Sequence, residues 1–261
     1  MYDHHTADRD EHYDRRRLLD GEKRDSVLEL REVQRYGEDS YGDPDYVSIY
    51  GLSPGEWYSK GVRLLGRTAV ECTRDVLANA IAKDVAALRA KAPDADALVV
   101  DLFAGSGNTL YWLLRHLASA TGIGFESDPG VFKLTSQNVR FLGLPVEIKN
   151  TDYRSGLSAI SLTTGQLLIA FIAPPWGAAL IETDGLDLRF TTPPITEIVD
   201  SLIGAFAHNP ILFPIQIHET VTDVSLDEVK SRFDWSMVRI YGLNAAGQNH
   251  GILLGAKGWT P

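Results

Sequence analysis

The chain has 261 residues and a formal net charge of −10, with 44% hydrophobic and 23% charged residues. This composition is ordinary for a globular protein, and it lacks the basic excess that proteins gripping long nucleic acids by their phosphates usually carry. No apolar run is long enough to span a bilayer, the N-terminus is charged from Asp3 onward, and Cys72 is the single cysteine. We therefore expect a cytoplasmic protein without membrane insertion, export signal, internal disulfide or cysteine-clustered zinc site.

Residues 1–60 are predicted to form a charged, helical or partly flexible N-terminal extension. Residues 1–39 contain twelve acidic and eight basic residues with little apolar periodicity, which is typical of a solvated segment. Three histidines fall within it: His4, His5 and His12. We prefer a flexible tail to a metal site for these histidines, and no metal is predicted. Near the end of the extension, Trp57 and Tyr58 are candidates for a lid or stacking wall over a substrate, with simple packing onto the sheet equally open.

Residues 61–261 are predicted to form one α/β domain. From about Val62 the pattern is helical, and short apolar runs then alternate with helical patterns. The predicted strands cover residues 97–100, 122–126, 145–148, 167–172 and 211–217, with a terminal hairpin around 237–241 and 252–256. This alternation indicates βαβ units and a mainly parallel sheet. Ligands of such sheets bind beyond the carboxyl ends of the strands, so the residues that follow each strand are the site candidates.

A glycine-rich turn follows the first predicted strand and opens a helix. Glycines at Gly105 and Gly107 let the backbone approach a ligand, and the helix N-terminus offers free N–H donors. The third glycine of the dinucleotide fingerprint is absent. The candidate cofactor-binding residues at this and the next two strand ends are Asp101, Phe103, Ala104, Gly105, Gly107, Asn108, Thr109, Glu126, Ser127, Asp152 and Tyr153.

Acids at three successive strand ends favour S-adenosylmethionine over a dinucleotide. Asp101 would repel a pyrophosphate but attracts a methionine ammonium. Glu126 is placed to accept both ribose hydroxyls, as it would also be for NAD, and Asp152 to accept an adenine amino group. Each acid alone is more often a helix cap or a surface residue. Together they predict a site for S-adenosylmethionine, with S-adenosylhomocysteine as product.

A proline-rich motif, Ala173-Pro174-Pro175-Trp176-Gly177, follows the fourth predicted strand. Two prolines force a stiff, extended segment without backbone donors, which directs carbonyl oxygens into the cleft. A strand-ending turn with Trp176 in the core is the simpler explanation of the motif alone. Its place at a strand end, facing the predicted methyl donor, favours a catalytic role for Ala173, Pro174, Pro175 and Trp176.

Residues 101–107 together with 173–177 resemble the N-methyltransferases that modify amino groups on planar systems, whose motif is Asn, Asp or Ser before Pro-Pro and an aromatic residue. Over about residues 95–205, including Asp184-Gly185-Leu186-Asp187-Leu188-Arg189, the chain is similar to the trimethylguanosine synthase family. The resemblance implies a Rossmann-like methyltransferase fold with a seven-stranded sheet. It also implies guanine-N2 methylation of RNA caps, with Trp176 stacked on the base.

The sequence departs from that motif at its first position, where Ala173 has no side-chain acceptor for a target amino group. One hydrogen bond of about 1 kcal/mol is thereby missing. Candidate substrate contacts lie elsewhere as well: Trp57, Tyr58, Trp176, Asp184 and His218. For Asp184 a surface ion-pair loop, and for His218 a satisfied strand-end histidine, are the competing interpretations.

The leading hypothesis is methylation of an amino nitrogen on a planar aromatic acceptor, either an RNA or nucleotide base or a small molecule. A methyltransferase of a small metabolite or natural product, acting at carbon, nitrogen or oxygen, is nearly as well supported. The acidic charge and Ala173 favour that alternative. A non-catalytic cofactor-binding partner and an NAD-dependent dehydrogenase are the remaining hypotheses, and a homo-oligomer stays open.

Overall fold

The computed structural model describes residues 13–93, 96–117, 119–181, 183–242 and 250–261. Ten α-helices lie in these ranges: α1 Arg15–Leu19, α2 Leu30–Tyr41, α3 Pro54–Ser59, α4 Gly66–Glu71, α5 Asp75–Arg89, α6 Asn108–His116, α7 Pro129–Phe141, α8 Tyr153–Ser158, α9 Ile195–Ala205 and α10 Asp223–Lys230. Nine strands accompany them: β1 Ala97–Asp101, β2 Thr121–Glu126, β3 Glu147–Asn150, β4 Leu167–Phe171, β5 Leu180–Ile181, β6 Gly185–Leu186, β7 Ile211–His218, β8 Trp235–Ile240 and β9 His250–Lys257. His4, His5 and His12 lie outside the described residues.

Seven strands form one sheet in the order β3-β2-β1-β4-β7-β9-β8. Neighbouring strands from β3 through β7 are parallel, and β9 is antiparallel to both of its neighbours. The predicted α/β fold, with a mainly parallel seven-stranded sheet and a C-terminal antiparallel pair, is confirmed. The chain leaves β1 toward β2 on one side and reaches β4 on the other, so a crevice opens above the carboxyl ends of β1 and β4.

The alternation of side chains along β4 explains the two cores. Leu168 and Ala170 face a core that is shared with α8, α9 and α10, while Leu167, Ile169 and Phe171 face a core shared with α5 and α6. Every residue of this strand is buried, as expected of a central parallel strand covered by helices on both faces. The sheet is therefore held between two helical layers.

The third strand lies two residues further along the chain than its sequence predicted. It begins at Glu147 rather than at Pro145, and Glu147 is the register partner of Ile123. Pro145 has no backbone N–H to donate to the ladder, and the strand lies at the edge of the sheet with mostly exposed side chains. The first residues of the predicted strand, Pro145 and Val146, therefore precede β3 and are not part of it.

Helices α1 to α4 pack around a third core of their own. Its largest members are fully buried: Leu18, Leu28, Tyr36, Ile49, Trp57 and Leu64. Asn108 ties this region to the glycine-rich turn, because its side chain accepts a hydrogen bond from Tyr50 N (2.7 Å) and donates one to Thr73 O (2.7 Å). The Tyr50 hydroxyl donates to Ser106 O in the same turn. The boundary between residues 60 and 61 stays a prediction.

Within the described ranges, no helix is long and apolar enough to cross a membrane.

Candidate functional site

Asp101 ends β1 and directly precedes the glycine-rich turn. Asp101 is 1% exposed, and one carboxylate oxygen accepts a hydrogen bond from Phe103 N at 3.2 Å. Gly105 and Gly107 adopt positive φ angles of 50° and 74°, which the turn needs in order to reach the first residue of α6. Burial raises the pKa of Asp101 to about 7, the Phe103 hydrogen bond opposes the rise, and the charge of Glu126 adds to it.

Glu126 fastens the glycine-rich turn to the end of β2. Its two carboxylate oxygens accept hydrogen bonds from Gly105 N at 3.0 Å and from Asp128 N at 2.7 Å. Burial raises the pKa of Glu126, and these two bonds oppose the rise. Each carboxylate oxygen keeps a second lone pair, so the side chain retains acceptor capacity for hydroxyl groups of a ligand.

The third predicted acid is exposed and caps a helix. Asp152 precedes α8 and accepts a hydrogen bond from Arg154 N at 2.9 Å. Beside it, the rings of Tyr153 and Phe103 are 5.5 Å apart, and the Tyr153 hydroxyl is buried without a hydrogen-bond partner in the described structure. Ser127, directly after β2, is exposed. The ends of β1, β2 and β3 thus gather the predicted residues, and their contacts with a cofactor stay predictions.

The side chain of Asn108, a predicted cofactor-binding residue, is bonded to the N-terminal part of the chain. Asn108 is buried, and its amide oxygen and nitrogen bond to Tyr50 and Thr73, so the side chain anchors the N-terminal region. Thr109, which follows it in α6, is also buried, as is Ala104 in the turn. The prediction that Asn108 binds the cofactor therefore does not extend to its side chain, and for its backbone at the start of α6 it stays a prediction. The long-range partners of the side chain are 35 and 58 residues away in sequence.

The proline-rich motif lies directly beside Asp101. Asp101 and Phe171 are register partners in β1 and β4, and Ala173 comes two residues after Phe171. Ala173 is half-buried, Pro174 is buried and Pro175 is exposed. A short 3₁₀ turn from Gly177 to Ala179 then leads into the β5–β6 hairpin. The motif therefore borders the crevice at the end of β4, where the sequence had predicted it.

A cavity of about 560 Å³ opens next to this motif, between the N-terminal helices and the ends of β7 and β9. Its polar and aromatic lining residues are Arg15, Tyr41, Tyr46, Glu71, Thr73, Arg74, Trp176, Gln216, His218, Thr220 and His250. Helix α4 connects it to the crevice, because Arg67 at one end pairs with Asp128 at 2.6 Å and Glu71 at the other end lines the cavity. The volume is within the range of small-molecule binding pockets.

Three rings cluster at the inner wall of the cavity. Trp176 is half-buried, and the centroid of its ring lies 5.4 Å from His250 at an interplanar angle of 20° and 5.8 Å from His218 at 83°. The two imidazoles are 5.8 Å apart. Burial lowers the pKa of both histidines, for His250 to about 4. At neutral pH the cluster therefore presents an indole and two neutral imidazoles.

Trp57 does not form a substrate wall, and that prediction is wrong. Its side chain is fully buried in the core of the N-terminal helices, where the indole N–H donates to Val47 O at 2.9 Å. Tyr58 is half-buried outside the cavity: the Arg63 guanidinium lies 3.5 Å from its ring centroid, and its hydroxyl donates to Glu29. The alternative explanation, that these residues pack the extension, is the one the contacts support.

Substituting Trp57 by Phe is expected to lower the free energy of unfolding by about 1–3 kcal/mol, because buried volume and the hydrogen bond to Val47 are both lost. Chemical denaturation measures this change. The matched Tyr58→Phe variant removes only a hydroxyl at the surface of the extension and should change stability by less than about 0.5 kcal/mol. A Trp57→Phe protein of unaltered stability would contradict the assignment of this residue to the core.

Asp184 is also not brought to the cavity. It is exposed at the turn of the β5–β6 hairpin and accepts a hydrogen bond from the hydroxyl of Thr183 at 2.9 Å. Further on, Asp187 and Arg189 form an ion pair at 2.6 Å, as the surface interpretation of this loop anticipated. The hairpin reaches the cavity through Leu180 instead, so the prediction of Asp184 as a substrate contact is corrected.

His250 is the main residue that the sequence analysis missed. It begins β9 and is the register partner of His218 at the end of β7. The sequence shows one histidine at the end of an apolar run and another at the start of the last apolar run. Only the antiparallel pairing of β7 with β9 places the two opposite each other. Tyr41 and Tyr46, which also line the cavity, were missed as well. Their ring centroids are 3.5 Å apart, and the Arg74 guanidinium lies 4.0 Å from the Tyr46 ring centroid.

Within the ranges that the structure describes, no three histidine, cysteine or acidic side chains group as a metal site would require. Neither a protein-family model nor a curated protein matches the chain in sequence.

Solved structures nevertheless share the fold. The N-terminal domain of human METTL16 aligns with a TM-score of 0.52 at 12% identity, over 97% of this chain and 96% of that one. The METTL16 MTase domain in a second crystal form gives a TM-score of 0.55 at 11% identity, over 89% of this chain and 82% of that one. The precorrin-6y C5,15-methyltransferase of Geobacter metallireducens gives 0.45 at 13% identity, over 72% and 90%. The two METTL16 likenesses establish a common fold at identities too low to carry function across.

Proposed function

We propose that this protein is an S-adenosylmethionine-dependent methyltransferase that methylates an amino nitrogen on a planar aromatic acceptor, such as a guanine-like base. The observation that carries the proposal is the juxtaposition of three features along adjacent strand ends. Asp101 and Glu126 hold the glycine-rich turn between them, and the half-buried Trp176 follows on the next strand beside a cavity. A cofactor crevice and an acceptor cavity thus share one edge of the sheet.

The electrostatics of the crevice fit a cationic ligand. Asp101 is almost completely buried, and among the described residues the neighbouring charge that acts on it is the carboxylate of Glu126, which is unfavourable. The methionine ammonium of S-adenosylmethionine supplies the missing positive charge. Glu126 would hold the ribose hydroxyls, Asp152 the adenine amino group, and Phe103 and Tyr153 would give the adenine an apolar surface.

The reaction needs alignment more than acid–base chemistry. S-adenosylmethionine, when bound, supplies an electrophilic methyl group on a sulfonium. The chain's own contribution is to hold an acceptor ring against Trp176 and to exclude water from the cavity with the N-terminal helices. The fold that the chain shares with the METTL16 MTase domain supports this assignment, as does the stiff Pro174-Pro175 segment between the two parts of the site.

A second candidate is a methyltransferase of a small metabolite, acting at carbon, nitrogen or oxygen. The cavity of about 560 Å³ has the size of a small-molecule pocket. The net charge of −10 and the absence of a side-chain acceptor at Ala173 point the same way. Both candidates share the cofactor and differ in the acceptor, and we place either activity in the cytoplasm.

Methyl-labelled S-adenosylmethionine distinguishes them. The full-length protein is incubated with separate pools of RNA and of small metabolites, and the label is followed. Label in nuclease-sensitive RNA supports base methylation, whereas label only in low-mass products supports the metabolite enzyme. Calorimetric titrations with S-adenosylhomocysteine and with NADH accompany the assay: binding of NADH alone would replace the methyltransferase proposal with a dehydrogenase.

A further inference from the structure

We infer that His218 and His250 form a hydrogen-bond donor and acceptor pair that recognises the edge of the acceptor ring. The ligand class that this pair takes is a planar ring bearing an N–H or O–H group next to an oxygen or nitrogen acceptor. The inference rests on the proposed function, whose acceptor it specifies. It excludes hydrocarbon carbons and fully substituted nitrogens as the methylated atom.

The two histidines are placed together by the sheet. His218 ends β7 and His250 begins β9, and they are directly opposite each other in the antiparallel register. Both line the cavity, as does Trp176, whose ring is within 6 Å of each imidazole centroid. The imidazole planes are almost perpendicular, at 80°. Two polar ring edges and one broad aromatic surface therefore meet in the same part of the cavity.

His218 is arranged as a donor toward the cavity. Its Nδ1 accepts a hydrogen bond from Thr220 N at 3.2 Å, and the Thr220 hydroxyl lies 2.7 Å from the same atom. Because a backbone N–H can only donate, Nδ1 must carry a lone pair. Burial lowers the pKa of His218, so the ring is neutral near pH 7 and its hydrogen resides on Nε2. The threonine thus fixes the tautomer.

His250 supplies the acceptor. Its Nδ1 is buried and has no hydrogen-bond partner in the described part of the chain, which costs free energy. The His250 side chain lines the cavity, and we assign a ligand that turns the imidazole toward the cavity as the partner that satisfies Nδ1. Burial lowers its pKa, as do the charges of His218, Arg74 and Arg15, while Glu219 raises it. Glu71 is a further charge that lines the cavity. A neutral His250 with its hydrogen on Nε2 offers the Nδ1 lone pair to an N–H or O–H group.

This acceptor compensates for the alanine of the proline-rich motif. Ala173 provides no side-chain oxygen for the group to be methylated, and His250 provides a nitrogen beside Trp176. In the transfer, a lone pair of the acceptor atom forms the new bond to the methyl carbon, and the carbon–sulfur electron pair stays on sulfur. The hydrogen of the acceptor atom passes as a proton to His250 Nδ1, and the imidazolium formed there releases the proton after the product has left. His250 is thus assigned to orient the acceptor and to receive its proton.

The first test uses long-range ¹H–¹⁵N spectra of the imidazoles in the protein saturated with S-adenosylhomocysteine. The probes are 2-pyridone, which has N–H beside C=O, and N-methyl-2-pyridone, which lacks the N–H. We expect 2-pyridone to shift the Nδ1 resonance of His250 and the Nε2 resonance of His218, and N-methyl-2-pyridone to leave His250 unchanged. Equal shifts with both probes, or no shift with 2-pyridone, would overturn the inference.

The second test separates hydrogen bonding from stacking. His250→Phe keeps a ring against Trp176 but removes the acceptor, and His250→Gln restores an acceptor oxygen. We expect His250→Phe to abolish the discrimination between the two pyridones and to lower kcat about tenfold or more on whichever pool accepts label, with partial recovery in His250→Gln. The affinity for S-adenosylhomocysteine should stay unchanged in both variants.

His208 provides the matched control. It is exposed and precedes β7 at the opposite end of the sheet, so His208→Phe should alter neither probe binding nor turnover. Wild-type behaviour of His250→Phe would remove the assigned role. A protein that fails to bind S-adenosylhomocysteine contradicts the proposed function itself, which keeps the two failures distinguishable.

Discussion

Replacing Asp101 by Asn is expected to lower the affinity for S-adenosylhomocysteine on the order of 10- to 100-fold, because a charge-assisted interaction with the ligand ammonium is lost. The substitution keeps the shape of the side chain and its acceptor oxygen for Phe103 N. Isothermal titration calorimetry measures the change. Asp184→Asn, at the exposed turn of the β5–β6 hairpin, is the control that should bind normally. An unaltered affinity in Asp101→Asn would contradict the assignment of the ammonium to this carboxylate.

The raised pKa of Asp101 also predicts that the stability of the folded protein depends on pH. In the folded protein without ligand its pKa is about 7, above the ordinary value of 3.8, so the folded state binds more protons than the unfolded state between these values. Stability from this group is fully present below about pH 4 and is lost as the pH rises through 7. Asp101→Asn should remove this loss, which denaturation at several pH values would show.

Ligand binding should reverse the preference of Asp101 for the protonated form. An ammonium beside the carboxylate favours ionisation, so binding near pH 7 should release a proton and become tighter as the pH rises. Calorimetry in buffers of different ionisation enthalpy detects the release. In Asp101→Asn the dependence on buffer should disappear.

Substituting Trp176 by Ala is expected to lower turnover about 10- to 100-fold while leaving the affinity for S-adenosylhomocysteine unchanged, because the ring contributes stacking to the acceptor and none of the cofactor contacts. Steady-state rates with the labelled acceptor pool give kcat and KM. Trp176→Phe, which keeps a smaller ring beside His218 and His250, should retain most of the rate. Unchanged turnover in Trp176→Ala would remove the stacking role.

The parts of the fold that could be predicted are those in which local pattern and tertiary structure agree. β4 is an uninterrupted apolar run, and β1 and β7 are apolar except for Asp101, Gln216 and His218, because helices cover both faces of the sheet there. Asp101 and Glu126 mark where β1 and β2 end. The edge strand β3 has mostly exposed side chains, and its position was correspondingly missed by two residues.

The side chains that the sequence misassigned are those whose partners are distant. Trp57 was predicted as a lid residue because no residue close to it in sequence indicates the separate core that it shares with Tyr36 and Ile49. The anchoring role of the Asn108 side chain was missed because its partners Tyr50 and Thr73 lie in another part of the chain. His250 was overlooked because only the pairing of β9 with β7 brings it to Trp176. The periodicity of apolar residues indicates which face of a helix or strand is buried, but it does not indicate which side chains pack against that face.

The hydrogen bonds that Asn108 makes to Tyr50 and Thr73 couple the start of α6, beside the glycine-rich turn, to the loops that connect the N-terminal helices. A ligand that binds the turn should therefore also oppose the local unfolding of α1 to α4, by at most the free energy of its binding. Amide protons of these helices should consequently exchange more slowly when S-adenosylhomocysteine is present. Residues remote from the ligand would in this way report its occupancy.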